Sequence, residues 1–133
     1  MYLSHVARAV SRAFGEALAE AGGSLPAWLV LLALKSGDAA SQRDLAAAVS
    51  ISEATLTHHL NAMEAAGLLT RRRDPANRRV HIVELTAEGE AAFERMRAAA
   101  AAFERRIGCH VGDEELAALR ATLSKLTASV SAS

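Results

Sequence analysis

The stretch SEATLTHHLNAMEAAGLLTRRRDPANRRVHIVEL, residues 52–85, decides the fold. Ser52 is a capping residue, and Leu56, Leu60 and Met63 then recur at helical spacing until Gly67 ends the pattern. Beyond Gly67 the period changes. Residues 68–73 and 79–85 are short and carry the β-branched Thr70, Val80, Ile82 and Val83. Between them lies the turn-rich string Asp74-Pro75-Ala76-Asn77, which predicts a hairpin with an exposed tip. Upstream, Ser41-Gln42-Arg43-Asp44 has capping-box form ahead of a short helix that turns Leu45 and Val49 inward and closes near Ser50. Two short helices joined by a turn at residues 50–52 and followed by a hairpin make a winged helix-turn-helix over residues 41–85.

The flanks are helical. Leu3, Val6, Val10, Phe14 and Leu18 form one stripe, stopped by Gly22 and Gly23. Pro26 suits the first turn of a second helix, whose apolar run over residues 28–34 predicts burial on most sides before Lys35, Ser36 and Gly37 end it. After the hairpin, residues 86–90 resemble an N-cap leading into a long helix with Phe93, Met96, Ala100, Phe103 and Ile107 on one side. Residues 108–112 break it. The last helix starts near Asp113 and spaces Leu116, Leu119, Leu123, Leu126 and Val130 in a heptad-like seam, with residues 129–133 as a frayed tail. The fold class expected is therefore mainly α with a small β-hairpin, a winged helix-turn-helix flanked by dimerisation helices. Residues 1–133 are expected to form one domain, with 41–85 as its winged helix-turn-helix lobe and 1–22 and 86–130 as dimerisation helices, whose stripes are too long for the lobe to cover and call for a second copy.

Composition agrees. With 133 residues, 51% of them hydrophobic but only 4% aromatic, the chain suits helices packed through small side chains. A single cysteine, Cys109, excludes an internal disulfide framework. No apolar run approaches the ~20 residues of a bilayer span, and residues 1–12 lack a signal-peptide h-region, so a cytoplasmic protein with no membrane partner is expected.

Fifteen basic and fifteen acidic side chains cancel, which at first argues against a nucleic-acid partner. Segment by segment the picture differs: residues 68–83 hold five arginines, Arg71, Arg72, Arg73, Arg78 and Arg79, against one aspartate, a hairpin of net +4. Such a hairpin is often just a solvated charged surface, but placed directly after a helix-turn-helix it reads as a wing for phosphate or the minor groove. On the helix before it, turning Leu56, Leu60 and Met63 inward sends Ala54, Thr57, His58 and Asn61 outward with Thr55 on the flank, and these groups can read base edges. The expected double-stranded DNA contacts are Ser52, Ala54, Thr55, Thr57, His58 and Asn61 on the recognition helix, and Arg71, Arg72, Arg73, Asn77, Arg78 and Arg79 on the wing. Ser41, Gln42 and Arg43 join them from the helix before the turn.

These motifs, from 52–57 (SEATLT) through 63–69 (MEAAGLL), 71–79 (RRRDPANRR) and 85–89 (LTAEG), resemble the MarR family (multiple antibiotic resistance regulators). That family's wing typically reads Asp-x-x-Asp-Arg-Arg before a Leu-Thr-x-x-Gly helix start, and Asn77 here stands in place of the second aspartate. The resemblance implies a homodimeric transcriptional regulator, most often a repressor, whose first and last two helices interlock and whose recognition helices enter successive major grooves. It implies Arg78 at the minor groove and Arg79 on phosphate or bonded to Asp74. It also places His58 where many relatives carry arginine, which would make DNA affinity sensitive near neutral pH. A small aromatic or anionic effector is implied too, with His5, Phe14 and Trp28 as pocket neighbours against the alternative that Phe14 and Trp28 are core.

Other chemistry has less support. There is no Gly-rich phosphate loop, paired catalytic carboxylate motif or nucleophile elbow, so no catalytic residue and no enzyme are expected. His58 and His59 point about 100° apart on a helix and cannot readily share a metal; no metal site and no cofactor are expected. The alternatives are a protein-interaction module that no longer binds DNA, or a redox- or metal-responsive regulator using Cys109 and His110.

Overall fold

The structure is a computed structural model and describes residues 1–37 and 41–131. Its elements follow the expected order: α1 (Tyr2–Glu20), α2 (Leu25–Ser36), α3 (Gln42–Ala48), α4 (Glu53–Ala65), β1 (Leu69–Arg73), β2 (His81–Leu85), α5 (Ala87–Gly108) and α6 (Asp113–Ser131). The chain divides into two compact units, Met1–Ala100 and Ala101–Ser133, to both of which α5 contributes.

Local chemistry sets the helix ends of the first unit. The Ser24, Ser41 and Ser52 hydroxyls accept hydrogen bonds from the Ala27, Asp44 and Thr55 N–H groups at 3.2, 3.1 and 3.1 Å, capping α2, α3 and α4. Gly37, at φ 78°, supplies the left-handed residue that closes α2. In the α3–α4 turn the corresponding residue is Ser50, at φ 58°, an uncommon conformation for a residue with a Cβ.

The core of this unit gathers every element up to α5. Leu18 of α1, Leu31 of α2, Leu45 of α3, and Leu56 and Leu60 of α4 are fully enclosed, joined by Leu69 and Val83 of the hairpin and by Phe93 and Met96 of α5. The inward face expected for α4 is thus the one observed. Val49 is only half-buried. α2 departs from expectation. It buries Trp28, Val30 and Leu31 but leaves Leu29 and Leu32 exposed, because α1, α3, α4 and β2 pack on it without enclosing that side.

β1 and β2 pair antiparallel with Leu69 opposite Leu85 and Arg73 opposite His81. The strands are slightly shorter than the sequence suggested, since residues 74–80 all belong to the turn. A single bridge from Ser41 to Ile82 adds the start of α3 to the outer side of β2.

In the second unit α6 has no buried residue, and Leu119, Leu123 and Leu126 stand 39–51% exposed. Helix continues to Ser131 where a frayed tail was expected, with Ser129 Oγ donating to Lys125 O at 2.8 Å; residues 132 and 133 lie outside the described residues. An open groove of about 1180 Å³ runs between the last turns of α5 and α6, lined by Ile107, Cys109, Leu116, Leu119 and Leu123 among others.

Candidate nucleic-acid interface

The helix pair is held by side chains as well as by its core. Gln42 Nε2 donates to Thr57 Oγ1 at 2.6 Å, and Thr57 Oγ1 donates to Glu53 O at 2.8 Å, which ties α3 to the first turn of α4. Ser52 Oγ donates to Thr55 Oγ1 at 2.9 Å. Four of the polar groups expected to face DNA are therefore engaged within the motif, where they fix its geometry. Ala54, His58 and Asn61 remain exposed on one face of α4, and the His58 ring meets that of His59 edge-on, 5.7 Å between centroids. Arg43 is exposed on α3.

The wing arginines divide into two groups. Arg71 Nη2 donates to Asn61 Oδ1 at 2.5 Å and to Glu64 Oε1 at 2.9 Å, and the Arg71 backbone N–H donates to Glu64 Oε2 at 3.1 Å. These bonds hold the Glu64 carboxyl below the usual carboxylate range, the side-chain hydrogen bond from Arg71 being the chief cause. Arg72 gives Glu84 two bonds, from Nε at 3.1 Å and Nη2 at 2.9 Å. The register sets Thr70 against Glu84, so this is a diagonal cross-strand pair. Arg73 Nη1 donates to Arg78 O at 2.7 Å, bracing the loop. The side chains of Arg78 and Arg79 make no hydrogen bond or ion pair among the described residues.

The tip owes its shape to two Asx turns. Asp74 Oδ1 accepts from Ala76 N–H at 2.9 Å and Asn77 Oδ1 from Arg79 N–H at 3.2 Å, while Asp74 N–H donates to Val80 O at 2.9 Å. An Arg79–Asp74 bond is not formed, because the Asp74 carboxylate is already turned to the loop backbone. Asn77 therefore keeps the turn chemistry without a charge.

A second device seats the hairpin on α5. Thr86 Oγ1 donates to Gly67 O at 2.5 Å and accepts from Gly89 N–H at 3.0 Å, and Thr86 N–H donates to Leu68 O at 3.1 Å. A Cβ on Gly89 would lie 1.9 Å from Leu68 O, so only glycine permits this approach. Glu64, Glu84, Thr86 and Gly89 all support the site, and sequence reading named none of them as such. The signal for Glu84 was available in the hairpin register, and that for Glu64 in an acid seven residues before Arg71 across a glycine turn.

The three residues expected as pocket neighbours differ in their surroundings. Trp28 is core, stacked on Phe93 with centroids 5.5 Å apart and planes 11° from parallel; Phe14 packs half-buried against the same core, and His5 is exposed on α1. Lys35 covers the Phe93 ring at 5.6 Å and pairs with Glu90 at 2.9 Å. Cys109 and His110 are exposed beyond α5. Among the described residues no three His, Cys, Asp or Glu side chains are grouped to hold a metal ion, and no single helix is long and apolar enough to cross a membrane.

A capped helix pair, a hairpin pinned to its second helix, and exposed arginines at the hairpin tip together define a winged helix-turn-helix protein. Residues 24–81 match the family model described as MarR family, and over that stretch the chain is similar to that family. It is 32% identical over 97 residues to an uncharacterized HTH-type transcriptional regulator, YdgJ, of Bacillus subtilis (strain 168). The match covers 73% of this chain and 59% of that protein, so the chain spans well under two thirds of the length of this curated relative. Among solved structures, the transcriptional repressor CouR bound to a 23-mer DNA duplex superposes with a TM-score of 0.88 at 28% identity, covering 95% of this chain and 89% of that one. CouR from Rhodococcus jostii RHA1 bound to p-coumaroyl-CoA gives a TM-score of 0.77 at 26% identity, covering 94% and 88%. The family and the fold are those of transcription regulators.

Proposed function

We propose that this chain is a sequence-specific, DNA-binding transcriptional regulator, a repressor that acts as a homodimer on a pseudo-palindromic operator. One observation carries the reading: the exposed face of α4 and the unengaged Arg78 and Arg79 belong to one rigid lobe, because Arg71, Thr86 and Gly89 fix the wing to its helix and to α5. A helix in the major groove and an arginine tip on the adjoining minor groove or phosphates is what such a lobe can present. CouR, of the same fold, is a repressor that has been captured on DNA.

A second copy supplies the other half-site and covers the apolar faces that this chain leaves open. Those faces are Leu119, Leu123 and Leu126 on α6, and Tyr2, Leu3 and Val10 on α1. Two-fold symmetry then sets the recognition helices about one DNA turn, ~34 Å, apart. A small aromatic or anionic effector would act by favouring a dimer whose helix spacing no longer fits the operator. The reading includes a cytoplasmic location and no catalytic activity.

The test is DNA selection from a random pool, followed by binding titrations at several salt concentrations. We expect a two-fold symmetric sequence to be enriched. Arg78→Ala with Arg79→Ala should weaken its binding and flatten the salt slope by about 3–4, four phosphate contacts per dimer at roughly 0.9 each. Undiminished binding by the double variant would remove the wing from the mechanism.

A further inference from the structure

Arg71 is the most enclosed of the five wing arginines, its side chain 17% exposed, and its recorded side-chain bonds are all made inside the protein. One nitrogen, Nη2, serves two acceptors, Asn61 Oδ1 and Glu64 Oε1, while Glu64 Oε2 takes the Arg71 backbone N–H. A guanidinium has donors and no acceptor. The atom of the Asn61 carboxamide that faces it must therefore be the oxygen, and the amide nitrogen lies on the other side. Asn61 is exposed on α4, one turn beyond His58 on the same face.

We propose that Glu64 and Arg71 are positioning residues that hold Asn61 by its oxygen, so that the recognition helix offers DNA two N–H donors at this point and no acceptor. The proposal rests on the DNA-binding reading above and adds a base preference to it. An unrestrained asparagine reads adenine by donating to N7 and accepting from the N6 amine. Here the guanidinium occupies one lone pair of the amide oxygen, and its charge repels an incoming N6 amine from the other. The exposed donors match edges built from acceptors, guanine O6 and N7 or thymine O4. Arg71 thereby shapes base choice without touching DNA or neutralising a phosphate.

Selection from a random pool, repeated with variants, tests this. In the wild type, guanine or thymine should be favoured over adenine by about tenfold at one position of each half-site, the lower part of the range for a good base contact. Arg71→Ala should release the amide and erase that preference while leaving the salt slope unchanged. Arg71→Lys, which keeps one nitrogen able to donate to both oxygens, should retain it. Asn61→Asp keeps and strengthens the partnership with Arg71, so it remains folded even where Arg71→Ala does not, and it replaces the outward donors with an acceptor. Its preference should move to cytosine, whose N4 amine donates. An enriched operator whose base preference is indifferent to both Arg71→Ala and Asn61→Asp overturns the latch alone. So does a salt slope shallower by about one per protomer in Arg71→Ala, which would put Arg71 on a phosphate. Absence of any enriched sequence overturns the DNA-binding reading and this proposal with it.

Discussion

Gly89→Ala probes the joint that seats the wing. The added Cβ would lie 1.9 Å from Leu68 O, 3.0 Å from Leu68 C and 3.1 Å from Leu85 Cδ2. Relief requires α5 to withdraw by roughly an ångström or more, because the nearest obstacle is backbone and that oxygen also accepts from Thr86 N–H at 3.1 Å. Withdrawal would disturb Ala92, Phe93 and Met96, all buried within two turns of the joint. Overpacking costs about 1–3 kcal/mol and a lost hydrogen bond about 1, against about 1 regained from alanine's helix propensity. With a backbone obstacle the upper end applies, a net loss near 3 kcal/mol. That lowers Tm by roughly 10 °C for a chain of this length. Circular dichroism melts at fixed protomer concentration measure it, with Gly15→Ala as the comparison, since a Cβ there meets nothing within 4 Å. Gly15→Ala should gain about 0.5–1 kcal/mol. If Gly89→Ala melts as high as Gly15→Ala, α5 does not start against Leu68 and the account of the wing's seat fails.

Three further outcomes follow from the same geometry. Ser50→Gly should stabilise the chain by about 1 kcal/mol in urea titration, because glycine removes the Cβ penalty at φ 58°. Since the Arg71 hydrogen bond lowers the Glu64 pKa in the folded chain, the stability it gives is present above the unfolded value, roughly 4.3, and is lost as pH falls through the folded one. A melt series below pH 5 should therefore show an acid loss that is smaller in Glu64→Gln. Leu123→Glu with Leu126→Glu puts charge on the open face of α6, and sedimentation should find monomer for this variant and the proposed dimer for the parent chain.

How legible the fold was depends on which part is considered. The inward face of α4 follows from spacing alone, because a buried face needs only the period and an adjacent core. The helix caps at Ser41 and Ser52 were equally direct, since their partners lie three residues away. α2 was less so: a continuous apolar run does not say which of its sides the chain itself will cover, and Leu29 and Leu32 stay exposed. Thr57 shows a second limit. Its spacing on α4 reads as outward, but the residue is half-buried and its hydroxyl accepts from Gln42, fifteen residues earlier, a choice that depends on how α3 crosses α4.

The arginines show why counting charge by segment was informative and incomplete. A net charge of zero concealed a hairpin of net +4, and the structure in turn subtracts from that hairpin. Glu64 takes up Arg71 and Glu84 takes up Arg72, both acids lying outside the counted segment. The carbonyl of Arg78 occupies part of Arg73 without cancelling its charge. What faces outward with full donor capacity is Arg78 and Arg79, the two residues that the Asx turns of Asp74 and Asn77 carry to the tip. Two of the five arginines are therefore engaged within the protein, and under the proposed function the remaining tip cations are the ones that would meet DNA. Replacing Arg72 would release the wing's cross-strand pair with Glu84, and replacing Arg78 or Arg79 would remove charge from the tip. These are separable effects, because only the second alters how many phosphates the protein can neutralise.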